Sequence, residues 1–216
     1  MKEMKIQTTD YNFSKTLILA STSPRRREIL ENMGFSPEII PSEISEVPPS
    51  QPELTPEETA MYLAFLKADS VRNKLLCSKK TIKNLTVVGC DTLVCKDNKI
   101  LGKPADKNKA FEMLSILRKS THRVISGLCI LSMLSQNCDC IKGKESICCA
   151  VETKVSFGPY SDKDIWEYIN TGDPMDKAGA YGIQGNFGRY VKSYEGSYFN
   201  VVGFPAEEFI KQLKNL

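Results

Sequence analysis

In Leu19-Ala20-Ser21-Thr22-Ser23-Pro24-Arg25-Arg26 a short apolar run gives way to three hydroxyls, a proline and two guanidiniums. A helix starting at Pro24 would offer unpaired N–H donors and the positive end of its dipole, and arginine adds planar bidentate donors matched to phosphate. The stretch is an anion site in outline. Cations in a first turn oppose the helix dipole, which favours a functional reading, although two solvated first-turn arginines remain the plain alternative.

A second group pairs Asp91, in Gly89-Cys90-Asp91-Thr92, with Lys103, in Gly102-Lys103-Pro104. The turn between them can bring the lysine back toward the carboxylate. An aspartate at a strand end is a common metal or catalytic position, and equally a common turn former beside a threonine. The third group is Gly172-Asp173-Pro174-Met175-Asp176-Lys177-Ala178-Gly179-Ala180-Tyr181-Gly182-Ile183-Gln184-Gly185. It has neither the phosphate-loop nor the dinucleotide spacing. Its glycines suggest close backbone approach to a ligand, with Gln184 able to donate and accept toward a base edge; a glycine-rich turn with a surface glutamine is the alternative. His122 is the one histidine, and no neighbour in sequence completes a nucleophilic triad around it.

Alternating strands and helices must position these groups. Leu17 to Ala20 fits a buried strand, followed by a helix with Ser23 as cap, Pro24 at its first position and Gly34 as its stop. Pro41 to Pro56 is proline-rich and reads as a surface loop. Thr55-Pro56-Glu57-Glu58 opens a second helix that carries Lys67. Thr86 to Cys90 is a strand that ends at Asp91-Thr92 or continues through Cys95 to a hairpin-like turn at Asp97-Asn98-Lys99. A helix is expected over 106–118, a strand pair over 124–133 and 147–157, a helix over 162–170, a strand over 198–202 and a helix over 205–213. The 170s and 180s read as irregular loop. Such an order gives an α/β fold with a mixed sheet. Residues 1–15 form a polar extension, and 16–216 a single domain.

Composition narrows the classes. A formal net charge of +3 is too small for a polyanion-binding surface, so no nucleic-acid partner is expected. No run approaches the ~18 apolar residues of a membrane span. The eight cysteines follow no secretory signal and are read as core or surface thiols of a cytoplasmic protein. Cys138-Asp139-Cys140 with Cys148-Cys149 lacks the spacing and histidines of a zinc site.

Together these segments resemble the Maf family of nucleotide pyrophosphatases. Four motifs carry the resemblance in family order: 19–26, Gly89-Cys90-Asp91-Thr92, Gly102-Lys103-Pro104, and Asp176 to Gly185. The resemblance implies a two-lobed α/β fold around an elongated mixed β-sheet flanked by helices, with a nucleotide cleft between lobes and usually a homodimer. It implies that Ser21, Arg25, Arg26, Lys67 and Lys103 hold the triphosphate, that Asp91 is the catalytic carboxylate, that Glu46 is a second metal-side acid, and that Gln184 contacts the base or sugar. The last motif looks like the branch acting on dTTP, UTP and related pyrimidine nucleotides; a sister branch prefers 7-methylguanosine triphosphate. Three departures stand out: Cys90 where Ala is usual, Ser126 where Thr is usual, and Lys119 where the turn usually has Gly.

The chemistry so implied uses Mg²⁺ or Mn²⁺ on Asp91, Glu46 and phosphate oxygens to activate a water for attack at the α-phosphorus, releasing the monophosphate and pyrophosphate. Asp91 orients or deprotonates that water, and the four cations neutralise the departing pyrophosphate. A nucleotide-binding regulator of cell division with little turnover is the competing reading; an RNA-binding module lacks the aromatic-basic platform such modules use.

Overall fold

The computed structural model describes residues 15–44, 54–78, 84–133 and 146–214. Within them the apolar run Leu17 to Leu19 forms the buried part of strand β1 (Thr16–Leu19), and helix α1 (Pro24–Asn32) follows. Proline takes the first helical turn as expected. Ser23 occupies the cap position, but its side chain makes no capping hydrogen bond. Instead its backbone N–H donates to Ser21 Oγ at 3.2 Å. Gly34 ends the helix with φ +85°, a left-handed conformation that costs glycine nothing.

Strand β2 (Glu38–Ile39) and β1 pair in parallel, as do β1 and β3 (Leu85–Lys96). Helix α2 (Pro56–Cys77) lies between β2 and β3 in sequence. It opens on a capping box in which Glu58 N–H donates to Thr55 Oγ1 at 3.2 Å and Thr55 N–H donates to the Glu58 carboxylate at 2.8 Å. The expected helix start is therefore found, and for the expected reason.

Strand β3 corrects the reading of Asp91. The strand does not stop there but runs unbroken for 12 residues, buried on both faces over most of its length, so Asp91 is an interior strand residue and forms no turn with Thr92. The turn comes later. Asp97 and Asn98 adopt φ +49° and +60°, the two left-handed residues of a tight hairpin, and β4 (Lys99–Leu101) returns antiparallel to β3.

Helix α3 (Lys107–Leu117), capped by Asp106, precedes the long strands β5 (Thr121–Met133) and β6 (Ser146–Phe157). Helix α4 (Asp162–Asn170) matches its expected bounds. The glycine-rich stretch is not shapeless: it folds as three short 3-10 turns, Asp173–Asp176, Ala178–Ala180 and Asn186–Tyr190, and leads into β7 (Val191–Glu195), antiparallel to β6. The seven strands form one mixed sheet in the order β2-β1-β3-β5-β6-β7, with β4 paired to β3.

The expected strand over 198–202 is a helix, α5 (Tyr198–Val202). Five apolar and polar residues carry no decisive period, and the ends decide: Ser197 Oγ accepts from Asn200 N–H at 3.1 Å, and Gly203 breaks the helix at φ +124°. Helix α6 (Ala206–Leu213) closes the series. Lys119 adopts φ +51°, which explains why glycine suits this turn and marks a local strain here.

The described chain divides into two compact units. Unit 1 comprises residues up to Asp91, 127–151 and 204 onward; unit 2 comprises 92–126 and 152–203. The core of unit 1 joins Ile18, Val87, Cys129 and Leu131 of the strands, and Ala20 just after β1, to Ala64, Ala68 and Val71 of α2. That of unit 2 is aromatic, built on Phe157, Tyr160, Tyr168, Tyr181 and Phe187.

Two glycines set how closely α2 sits on its strands. A Cβ on Gly89 would strike the carbonyl oxygen of Ala64 and come within 2.9 Å of Ala68 N; one on Gly127 would strike the carbonyl of Ala60. Gly127→Ala should therefore destabilise the protein by about 1–3 kcal/mol through overpacking against helix backbone. Gly158→Ala, whose Cβ would rest 3.6 Å from Tyr190 O, should be neutral or slightly stabilising. Urea midpoints of the two variants check this; equal shifts would show that α2 gives way freely.

Candidate active site

Unit 1 gathers five of the expected site residues. Strands β1 and β3 run parallel with Leu19 opposite Val88, and Ala20 N–H donates to Val88 O at 2.8 Å. Ser21 and Asp91 thus lie toward the same end of this strand pair, the carboxyl end where α/β sheets bind ligands.

Helix α2 presents Ala60, Leu63, Ala64, Lys67, Ala68 and Val71 as its buried stripe, so a lysine sits where helical spacing calls for an apolar residue. Gly89 and Asp91 are two residues apart on β3 and project to one face. With Ala64 and Ala68 against Gly89, Lys67 Nζ reaches Asp91 Oδ1 at 2.6 Å. The side chains of this ion pair are 5% and 9% exposed, so each charge depends on the other for compensation.

Around the β1–α1 turn, Arg26 is buried and donates from Nη1 to Ser21 Oγ at 3.1 Å. Ser21 Oγ accepts from Ser23 N–H as well, which leaves its own O–H directed elsewhere. Arg25 is half-buried beside it. The arrangement is a hydroxyl, two guanidiniums and a helix start, the ingredients of an anion site.

Unit 2 holds Lys103 and Gln184, both exposed. Their two motifs are joined where Gly179 N–H donates to Gly102 O at 3.1 Å. The glycines of this loop, however, serve the protein's own packing: a Cβ on Gly179 would meet Val94 Cγ1 at 2.8 Å, one on Gly182 would meet Lys177 Cε at 2.9 Å, and one on Gly188 would strike Ile183 O. Close approach is the correct reason for them, and the chain itself is what approaches.

Sequence reading missed the braces of this loop. Lys177 Nζ donates to Asp173 O at 2.6 Å, to Asp173 Oδ1 at 2.9 Å and to Asp176 Oδ1 at 2.7 Å. Tyr168 O–H donates to Asp173 Oδ2 at 2.6 Å and accepts from Gly182 N–H at 3.3 Å, two residues before Gln184. Burial, and then the Asp173 carboxylate, push the Tyr168 hydroxyl above its ordinary pKa, so it stays a donor. The four-residue step from Asp173 to Lys177 was the available signal. Thr92 Oγ1 and Ser126 Oγ share a hydrogen bond at 2.9 Å, so the serine keeps the hydroxyl that threonine would offer there.

His122 is structural. Its Nε2 meets Tyr181 Oη at 2.7 Å, its ring packs on Phe157, and Nδ1 has no hydrogen-bond partner among the described residues. Glu46, the second acid expected at a metal, lies outside the described residues, as do Cys138 and Cys140. No group of three or more His, Cys, Asp or Glu side chains is placed to hold a metal ion among the described residues. Among the described residues Asp91 offers one carboxylate, which fits a Mg²⁺-type ion bound through one or two carboxylates and the oxygens of a phosphate ligand. No helix among the described residues is long and apolar enough to cross a membrane.

Comparison with known proteins identifies the family. The family model described as "Maf-like protein" matches residues 16–216. A protein of Thermococcus gammatolerans is 44% identical over 191 residues, 88% of this chain and 91% of its own. One of Alkaliphilus oremlandii is 44% identical over 201 residues, 93% and 96%. One of Thermococcus kodakarensis is 46% identical over 200 residues, again 93% and 96%. All three are named dTTP/UTP pyrophosphatase.

Burial first, and then the charge of Lys96, push His122 down to about 4 from 6.5. The folded protein takes up this proton only near pH 4, whereas the unfolded chain takes it up near pH 6.5. Stability is unaffected above pH 6.5 and is lost as pH falls below it, by about 3 kcal/mol in all. His122→Gln should remove that loss. Unfolding free energies of wild type and variant, measured from pH 4 to 7, check it; a pH-independent difference between them would contradict it.

Proposed function

The chain belongs to the Maf family, and from that premise we propose that it hydrolyses pyrimidine nucleoside triphosphates such as dTTP and UTP to the monophosphate and pyrophosphate. The observation that carries the reading is the buried Lys67–Asp91 pair, at the same end of the β1–β3 strands as the Ser21–Arg26 anion loop. An aspartate held this way is of little use to the core, since a buried ion pair is weak support for stability. It is well suited to chemistry.

Ser21, Arg25 and Arg26 bind the phosphates, with Lys103 as a further cation. Lys67 fixes one oxygen of Asp91 and so orients the carboxylate, whose other oxygen accepts a hydrogen bond from the attacking water. A divalent cation, Mg²⁺ or Mn²⁺, held by Asp91 and the phosphates would supply Lewis acidity when bound. Gln184, on a loop braced by Tyr168, Asp173 and Lys177, reads the base edge. A homodimer in the cytoplasm belongs to the same proposal, supported by the family resemblance.

With dTTP or UTP and Mg²⁺, chromatography should give the monophosphate and pyrophosphate, and Asp91→Asn should reduce kcat at least about 100-fold while nucleotide affinity holds. A diphosphate with orthophosphate would mean attack at a different phosphorus.

Gln184→Ala should lower kcat/KM for the preferred nucleotide by about 1–3 kcal/mol and for poor substrates by less, because the lost contact is one that only the correct base makes. Arg25→Ala should lower all substrates alike, a phosphate being common to them. The measurement is kcat/KM for dTTP, UTP, CTP and GTP in both variants. Identical profiles would remove Gln184 from base recognition.

A further inference from the structure

Unit 1 carries a second cluster of reactive side chains that hydrolysis does not use. Cys129 of β5 is fully buried in the core beneath α2, and Cys148 of β6 is exposed. Strands β5 and β6 are neighbours in the sheet, and the two thiols share a hydrogen bond.

The register agrees with this contact. Thr121 Oγ1 and Ser156 Oγ meet across the two strands at 2.7 Å. Eight residues onward along β5, from 121 to 129, and eight back along β6, from 156 to 148, arrive at Cys129 and Cys148. The strands are therefore antiparallel, as the Arg123–Glu152 contact also shows, and an even count keeps the same face. Phe157 N–H donates to Ser120 O at 3.0 Å, in the same register. Directly opposed Cα atoms of an antiparallel pair lie about 4.5–5.5 Å apart. That spacing lies within the ~4.4–6.8 Å window of a disulfide.

We propose that Cys129 and Cys148 are an oxidisable dithiol, a modification site at which a hydroperoxide joins β5 to β6 through a cross-strand disulfide. Cys148 sulfur attacks one peroxide oxygen, the O–O bond breaks, and the leaving oxygen departs as water, or as an alcohol from an organic peroxide. Cys129 sulfur then attacks the Cys148 sulfenic acid; the S–S bond forms, the S–O bond breaks and water leaves with the thiol proton. Two thiols lose two electrons and the peroxide gains them.

The division of labour follows from the surroundings. The hydrogen bond with Cys129 holds Cys148 below the ordinary thiol range, which favours the attacking thiolate, whereas that same bond and burial push Cys129 up. Cys149 is the nearest competitor in sequence. It projects to the opposite face of β6, and burial, followed by the charge of Glu208, pushes it up to about 11. Cys90 and Cys95 are buried, and Cys77 stands exposed at the end of α2.

The test uses the full chain, reduced, desalted and treated with about one equivalent of hydrogen peroxide, then alkylated, digested and sequenced by mass spectrometry. A Cys129–Cys148 cross-link should be the dominant disulfide, should disappear with dithiothreitol, should be absent from Cys148→Ser and should persist in Cys149→Ser. Cys148 is exposed, so its replacement leaves the core intact and the variant remains informative. Cys129 recovered fully alkylated after peroxide, a dominant bond between other cysteines, or Cys148 over-oxidised beside an intact Cys129 thiol would each overturn the proposal.

Discussion

Helix α2 lies nearer its sheet than side chains ordinarily permit, because β3 and β5 each lack a Cβ where it would collide with the helix backbone. The pairing of Asp91 with α2 depends on that closeness. Ala60, Ala64 and Ala68 are the helix's half of the fit, and Lys67 rides on the same stripe. A lysine there is costly in an apolar core and acceptable only if an anion waits opposite. Asp91, two residues beyond Gly89 on the same strand face, is that anion. Small residues and charged ones are thus parts of a single device: the first set the gap, and the second use it.

Unit 2 solves a different problem by different means. Its loop must hold an exposed glutamine without a helix or strand to carry it. Glycines let the loop fold against Val94, Lys177 and Ile183, and a chain of hydrogen bonds from Lys177 through Asp173 and Tyr168 to the Gly182 amide stiffens it. Tyr181 anchors it from beneath, buried among His122 and Phe157. The result is a polar tip on an aromatic base, which limits how far the tip can wander.

Much of this was legible in the residues. Helix starts with a chemical signature, such as the capping box at Thr55 and proline at Pro24, were found in place. So was the hairpin turn at Asp97-Asn98, because two left-handed residues in a row admit few side chains. What escaped were features settled by tertiary contact. The residues leave open whether β3 stops at Asp91 or runs on through Cys95, since an aspartate inside a strand is tolerated only for the lysine that α2 brings from elsewhere. Residues 198–202 read as a strand until the Ser197 cap and the buried Asn200, which donates to Val124 O and Thr153 Oγ1, are seen. Lys67 stood out by resemblance alone; its burial in an apolar stripe, once α2 is drawn, is the physical signal. The Tyr168–Asp173–Lys177 brace was hidden because three ordinary surface-type residues become a network only when the loop closes on itself.

The path of the chain has a consequence for how the protein is made. Ser21, Lys67 and Asp91 all belong to its first contiguous segment, yet the core of unit 1 is completed by Phe209 of α6, which stacks edge-on against Phe35 and Phe204 after the whole of unit 2 has been threaded through. A ribosome therefore releases the site residues long before the helix that closes their core. During that interval the nascent chain exposes apolar strand faces, and Lys67 and Asp91 have not yet lost their water. Hydroxyls, prolines and charges strewn through that early segment are the residue types that oppose aggregation of exposed strand faces in a chain still waiting for its last helix.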